Sequence, residues 1–269
     1  MVDKKPRVEV EKKRLRILLI SLIVLLVLIN FPLLNKILEN VYGNSEMGVV
    51  ERVIDGDTVE VSGNSVRLLG INSPEKGELY SSEAQEFLEM MVLNKTVKME
   101  RSGDDLDLYG RKLRYLIIGE TNINLELVKE GLANFYFPSG KSKYYNEFKE
   151  TWEGCVEENT NLCARSEDLC SSCIALIDLD KKAQKVNLYN LCNFNCNLNG
   201  WTIKDEGRKT FTFSDFKLSS KAQVDILVGE GTDSDSTLYW PGEDYVWTNS
   251  GDTLFLRDDK GKLVLWENY

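Results

Sequence analysis

The chain has 269 residues, 33 of them Lys or Arg against 43 Asp or Glu, a net charge of −10 and no histidine. Its length suits two domains of ordinary size. The missing histidine excludes imidazole acid–base chemistry, His-based triads and His-ligated zinc, so any catalysis falls to carboxylates, Arg, Lys, Tyr, Cys or a bound ion. The acidic surplus excludes a generally basic face for polyanions, and any affinity for nucleic acid must be local.

Residues 1–16 carry seven basic and three acidic groups and read as a basic tail. The apolar run from Ile17 to Leu34 is broken only by Ser21, Asn30 and Pro32. Eighteen helical residues rise roughly 27 Å, close to the hydrocarbon thickness of a bilayer. The expectation is a single-pass transmembrane anchor over 17–36, with the tail in the cytoplasm and the rest of the chain at the outer face of a cell membrane. Secretion after signal cleavage is the alternative, although Asn35-Lys36-Ile37-Leu38-Glu39 offers no small-x-small cleavage pattern. Residues 37–47 read as a tether.

From Gly48 the rhythm is that of short strands: Val49–Ile54, Thr58–Val61, Val66–Ile71, Val97–Arg101 and Arg114–Ile118. Three helices interrupt them. Ala84, Phe87, Leu88 and Met91 make an apolar stripe behind a capping-box pattern at Ser82 and Gln85. A second helix runs from Ile123 to Glu130 and stops at Gly131, and a third spans Tyr144–Glu157. Five strands plus helices predict a mainly β domain over 48–159, a closed five-stranded barrel of the OB-fold type.

Residues 160–172 are a polar, cysteine-containing linker. Beyond it only short strands are predicted: Ile174–Leu179, Val186–Tyr189, Trp201–Lys204, Thr210–Phe213, Gln223–Val228, Thr253–Leu256 and Leu263–Trp266. They make 173–269 a β-sandwich. All six cysteines (Cys155, Cys163, Cys170, Cys173, Cys192 and Cys196) lie near the junction. An even count outside the cytoplasm favours disulfides, and a zinc site from Cys170, Cys173, Cys192 and Cys196 is the alternative. Connectivity stays open.

Three stretches carry chemistry: Asp55-Gly56-Asp57-Thr58, Arg67 through Asn72-Ser73-Pro74-Glu75, and Tyr109-Gly110-Arg111. Asp57, Asn72 and Ser73 offer the oxygen ligands that a hard cation such as Ca²⁺ requires. Arg67 and Arg111 offer permanently charged donors to the oxygens of a phosphodiester transition state. Glu75 is placed to take a proton from water. Each motif alone has a structural explanation as a turn, a solvated strand or a loop start.

In this order, and with Asn124 to Ala133 following, the motifs resemble the staphylococcal nuclease (thermonuclease) family over about 110 residues. The resemblance implies catalytic roles for Arg67, Glu75 and Arg111, calcium binding at Asp57 and the Ser73 carbonyl, and cleavage of DNA and RNA to 3′-phosphate ends. The chain departs from the family at Asn72, where the pattern has a second carboxylate ligand, so the site loses one negative charge. Residues 173–269 resemble the lamin-tail domain, an immunoglobulin-like sandwich, through Asn199–Asp205, Phe211-Thr212-Phe213, Leu238-Tyr239-Trp240 and Val246–Asp252. That implies a targeting or binding module whose partner the sequence does not name. Two functions compete: a membrane-anchored nuclease using Ca²⁺, and a non-catalytic surface-anchored binding or adhesion protein with a degenerate nuclease barrel.

Overall fold

The computed structural model describes residues 14–27, 30, 44–138 and 140–269. Residues 14–27 are helical with exposed apolar side chains. Among the described residues no helix is long and apolar enough to cross a membrane. The rest of the expected anchor and most of the expected tail and tether lie outside the described residues. Residues 47–269 form one compact unit.

The first half of that unit is built on β1 (Ser45–Asp55), β2 (Thr58–Val61), β3 (Asn64–Leu68), β4 (Gly70–Asn72), β5 (Thr96–Glu100), β6 (Lys112–Ile118), β7 (Thr121–Asn122) and β8 (Asn134–Tyr136). The sheet order β3-β2-β1-β5-β6-β7 closes through a parallel β3–β6 pairing, with Arg67 opposite Leu113. That closure makes the expected five-stranded barrel. β1 shifts register against β2 at Val50/Arg52 and at Val53/Asp55, which bends the long strand round the barrel. Val50, Val59, Val61, Val66, Val97 and Leu116 fill the interior.

The predicted strand Val66–Ile71 is in fact two. Gly70 has φ +77, a conformation that costs a residue with a side chain and suits glycine. There the chain leaves β3 and pairs β4 with β8, Ile71 opposite Phe135. Helix Ser81–Val92 buries Ala84, Leu88 and Val92. It does not use the expected capping box, because Tyr80 occupies the N-cap at φ 68 without a side-chain cap. In helix Ile123–Lys129 the fully buried Asn124 accepts a bond from Leu116 N (3.0 Å) and donates to Leu69 O (2.7 Å). It thereby ties the β4 junction to β6. Helix Tyr145–Glu158 buries Phe148, Trp152, Cys155 and Val156.

The second half comprises β9 (Ile174–Asp180), β10 (Lys185–Asn190), β11 (Cys196–Asn197), β12 (Thr202–Lys204), β13 (Thr210–Thr212), β14 (Lys217–Leu218), β15 (Gln223–Val228), β16 (Thr237–Trp240), β17 (Thr253–Arg257) and β18 (Leu263–Asn268). Two four-stranded sheets, β16-β15-β10-β9 and β13-β12-β17-β18, enclose Val186, Leu188, Trp201, Ile203, Val224, Ile226, Trp247 and Leu254. β16 is absent from the sequence reading. It joins β15 in parallel, Ile226 opposite Leu238. Disulfides join Cys155–Cys163, Cys170–Cys196 and Cys173–Cys192. No thiol is left for zinc.

The stretch read as a linker is packed into the structure. Cys163 is fully buried, and Leu263 N donates to Ala164 O at 2.8 Å. Phe255 and Leu263, from the second half, belong to the core of the first. Trp152 meets Phe255 edge-on at 5.3 Å and Trp266 at 6.3 Å, and Phe135 meets Phe255 at 6.4 Å. Arg257, 7% exposed, reaches across to Leu162 O and to Asn134 Oδ1 (3.3 Å). Burial pulls its guanidinium pKa down to about 10. An aromatic cluster and a buried arginine thus weld barrel and sandwich together, where two independently mobile domains would share only a small polar contact.

Candidate active site

The turn between β1 and β2 sets the first carboxylate. Asp57 N donates to Asp55 Oδ1 at 3.0 Å, which curls the backbone inward. A Cβ on Gly56 would come within 2.7 Å of Ala84 Cβ and 2.8 Å of Ser73 Cβ, so only glycine lets the turn pack this tightly. Asp57, 3% exposed, accepts from Ser73 N through Oδ2 (2.9 Å) and from Thr58 Oγ1 through Oδ1 (3.1 Å). Burial, followed by the neighbouring Asp57 charge, holds Asp55 above the usual carboxylate range.

Thr58 sits opposite Arg67 across β2 and β3. The Arg67 guanidinium lies 3.1 Å from Asp57 Oδ2 and donates to Asn72 Oδ1 at 3.2 Å and Leu68 O at 2.6 Å. Arg111, at the mouth of β6, donates to Thr58 Oγ1 at 3.4 Å and to Asp107 Oδ2 at 2.6 Å. Burial alone would raise Asp107, but hydrogen bonds from the Arg111 backbone and side chain and the Tyr109 backbone outweigh it and hold the carboxyl low. A chain of hydrogen bonds and one ion pair therefore runs from Arg111 through Thr58, Asp57 and Arg67 to Asn72.

Arg67, Asn72 and Arg111 line a cleft of about 660 Å³ together with Tyr109, Tyr115 and Tyr136. Asp57 and Ser73 are buried outside its lining and bonded to each other. Glu75 stands apart from this chain. Its exposed carboxylate pairs with Arg208 Nη2 at 2.7 Å. Arg208, Gly207, Asp205 and Lys209, from the loop between β12 and β13, also line the cleft. Asn72 Nδ2 donates to Gly207 O at 2.6 Å. Sequence reading missed these residues, because they sit 135 positions from Asn72 on the other domain and carry no motif of their own.

The donor set suits calcium in kind: a carboxylate, an amide oxygen and the Ser73 carbonyl are all hard oxygens. Its formal charge is one. Among the described residues no three Asp, Glu or Cys side chains gather to hold a metal. Asp105 and Asp107 bind Arg114 and Arg111 instead.

Residues 65–163 match the family model for staphylococcal nuclease homologues, and residues 173–269 match that for the lamin tail domain. The thermonuclease of Staphylococcus intermedius is 31% identical over 130 residues, which cover 77% of that protein and 45% of this chain. This chain belongs to the staphylococcal nuclease family. Its identity to the Staphylococcus hyicus thermonuclease is 30% over 129 residues, 76% of that protein and 44% of this chain. A Haemophilus influenzae protein named as an endonuclease is 34% identical over 106 residues, 58% of that protein and 38% of this chain. Within the family barrel, the cleft described here is the place where the paired arginines converge. The lamin-tail domain contributes one wall of it.

Proposed function

We propose that the protein is a calcium-dependent nuclease that hydrolyses phosphodiester bonds of DNA or RNA and leaves 3′-phosphate ends. The observation that carries this reading is the convergence of Arg67 and Arg111 on one cleft, each locked by a carboxylate. Two guanidinium groups stay charged at any working pH and give paired N–H donors to the equatorial oxygens of a phosphorane-like transition state. Their anchoring to Asp57 and Asp107 fixes them before substrate arrives, so little reorganisation is needed at the moment of reaction.

Asp57, Asn72 and Ser73 would hold the calcium ion, which when bound supplies positive charge against the reacting phosphate. Glu75, exposed and paired with the cleft residue Arg208, accepts the proton of the attacking water. Water adds to phosphorus, the P–O5′ bond breaks and the 5′ oxygen takes a proton from solvent to leave as a hydroxyl, so the phosphate remains on the 3′ side. Tyr109 and Tyr136 at the cleft wall give faces for bases to stack on.

We further propose that the chain is held at the outer face of a membrane by its N-terminal apolar segment. Three disulfides favour an oxidising compartment, and the basic residues before Ile17 favour a cytoplasmic tail. The decisive experiment incubates the full chain with DNA and RNA oligonucleotides across a calcium titration. Cleavage should require calcium, and Arg67→Ala or Arg111→Ala should each slow it on the order of 10²-fold. A wild-type chain that cuts neither substrate at millimolar calcium refutes the nuclease reading and leaves the binding-protein alternative.

A further inference from the structure

The lamin-tail loop at the cleft is built with more care than a passive wall needs. Its arms are fixed on both sides. Asp205 and Lys209 close a tight turn on each other through two backbone-anchored bonds of 3.1 and 2.9 Å. Glu206 accepts from Phe137 N of the barrel at 3.1 Å and from Thr253 Oγ1 of the sandwich at 3.4 Å. Gly207 O takes the Asn72 amide at 2.6 Å. Between these anchors stands Arg208, whose side chain is 55% exposed.

The backbone of Arg208 is therefore preorganised while its guanidinium stays free to exchange partners. Its ion pair with Glu75 is 55% and 47% exposed, and exposed pairs contribute little, about 0–1 kcal/mol. A bidentate phosphate contact from arginine is the stronger alternative. The barrel itself, residues 48–150, carries 13 basic against 18 acidic residues, so a cation brought by the second domain fills a real deficit. The cleft of about 660 Å³ has room beyond a single reacting phosphate, within the ~300–1,000 Å³ of pockets that enclose whole small ligands.

We propose that Arg208 is a substrate-positioning residue supplied by the lamin-tail domain, and that it binds the backbone phosphate adjacent to the scissile one. The pairing with Glu75 is its resting state. Substrate phosphate draws Arg208 away, and the Glu75 carboxylate is then free to meet water. Asn72 belongs to the same device, since a donor is needed there to hold the Gly207 carbonyl. This inference rests on the nuclease reading above.

The test compares wild type, Arg208→Ala and Arg208→Lys as full chains on two substrates. One is an oligodeoxynucleotide with several phosphates. The other is a dinucleoside monophosphate whose only phosphate is the scissile one. For the oligonucleotide, Arg208→Ala should raise KM by roughly five- to tenfold, the scale of one exposed charged hydrogen-bond contact, with kcat little changed. Arg208→Lys should fall between the two. On the dinucleoside monophosphate, which has no adjacent phosphate to draw Arg208 from Glu75, neither variant should lose rate, and Arg208→Ala should cleave at least as fast as wild type. Equal loss on both substrates, a gain in rate on both, or no change on either overturns the proposal. A wild type that cleaves neither substrate defeats the nuclease reading separately. Fluorescence anisotropy of the same oligonucleotide still reads the contact, and equal affinity of wild type and Arg208→Ala would refute it.

Discussion

Restoring a carboxylate at position 72 sets two demands of the structure against each other. Asn72 is 3% exposed, donates to Gly207 O at 2.6 Å and accepts from Arg67 at 3.2 Å. Asn72→Asp keeps the acceptor and loses the donor, so a buried carboxylate oxygen then faces the carbonyl oxygen of the half-buried Gly207. Losing the bond costs about 1 kcal/mol, and leaving the Gly207 carbonyl unsatisfied adds about 1–2 kcal/mol. Attraction to Arg67 is shared with Asp57, which also repels the new charge, so these two opposing terms largely cancel. The net cost without divalent cation is about 2 kcal/mol, which lowers Tm by roughly 4–8 °C for a unit of this size.

Calcium should narrow the gap. A second carboxylate tightens the oxygen cage, and a tenfold tighter site corresponds to about 1.4 kcal/mol. Wild type gains from bound calcium too, so at saturation the variant recovers only that difference of about 1.4 kcal/mol and stays about 0.6 kcal/mol less stable. The assay is differential scanning fluorimetry of both full chains with and without calcium, paired with cleavage rate against calcium concentration. Expected are a lower Tm without calcium, a steeper rise with it, and a lower calcium concentration for half-activity. Asn72→Ala should be destabilised without that gain. An Asn72→Asp protein with wild-type Tm in the absence of calcium would refute the Gly207 contact, and one with an unchanged calcium response would refute Asn72 as a ligand.

Glu206 and Asp205 titrate far above their ordinary values, to about 8 and about 7, through burial first and then repulsion from Asp252. Raised folded-state pKa values give stability that is complete below the unfolded values and lost as pH rises through 7 to 8. Melting curves should therefore show stability falling as pH rises from 5 to 8.5; Glu206→Gln should flatten that slope, and an unaltered slope rules out Glu206 as its source. Arg257→Ala removes the buried guanidinium that donates to Asn134 Oδ1 (3.3 Å) and Gly261 O (3.2 Å) as well as to Leu162 O. It should cost about 3 kcal/mol through unsatisfied acceptors and a void, read as a lower Tm and faster proteolysis near 160–172; a loss below about 1 kcal/mol would mean that other contacts hold the two domains together.

The barrel was legible in the sequence because its signals are local. Alternating Val59 and Val61, the stripe Ala84–Leu88, and Gly131 after a helix each report on their own few residues. The three motifs proposed for catalysis were legible for the same reason: a turn, a strand with its exit loop, and a strand entry each sit within a dozen positions. The errors fall where a residue answers to something distant. Val66–Ile71 reads as one strand, yet Gly70 breaks it so that β4 can meet β8, some 65 positions on. Ser82 and Gln85 form a capping pattern that the fold ignores, since Tyr80 already turns the chain. Residues 160–172 look polar enough for a linker, but Cys163 and Ala164 answer to a disulfide and to β18.

Asn72 is the sharpest case. Beside the family pattern it reads as a lost charge, and a lost charge argues for a weakened metal site and a degenerate enzyme. Beside Gly207 it reads as an acquired donor. A carboxylate cannot donate to a carbonyl; an amide can, and it still offers Oδ1 to the cleft. The same residue thus gives up a charge of the family pattern within the barrel and makes a bond between the domains. Because the new partner lies in the lamin-tail domain, the departure from the family carries meaning only in a chain that has both halves. The loop that receives the Asn72 amide is the loop that brings Arg208 to Glu75, so the second domain gives the cleft a cation as well as part of its wall.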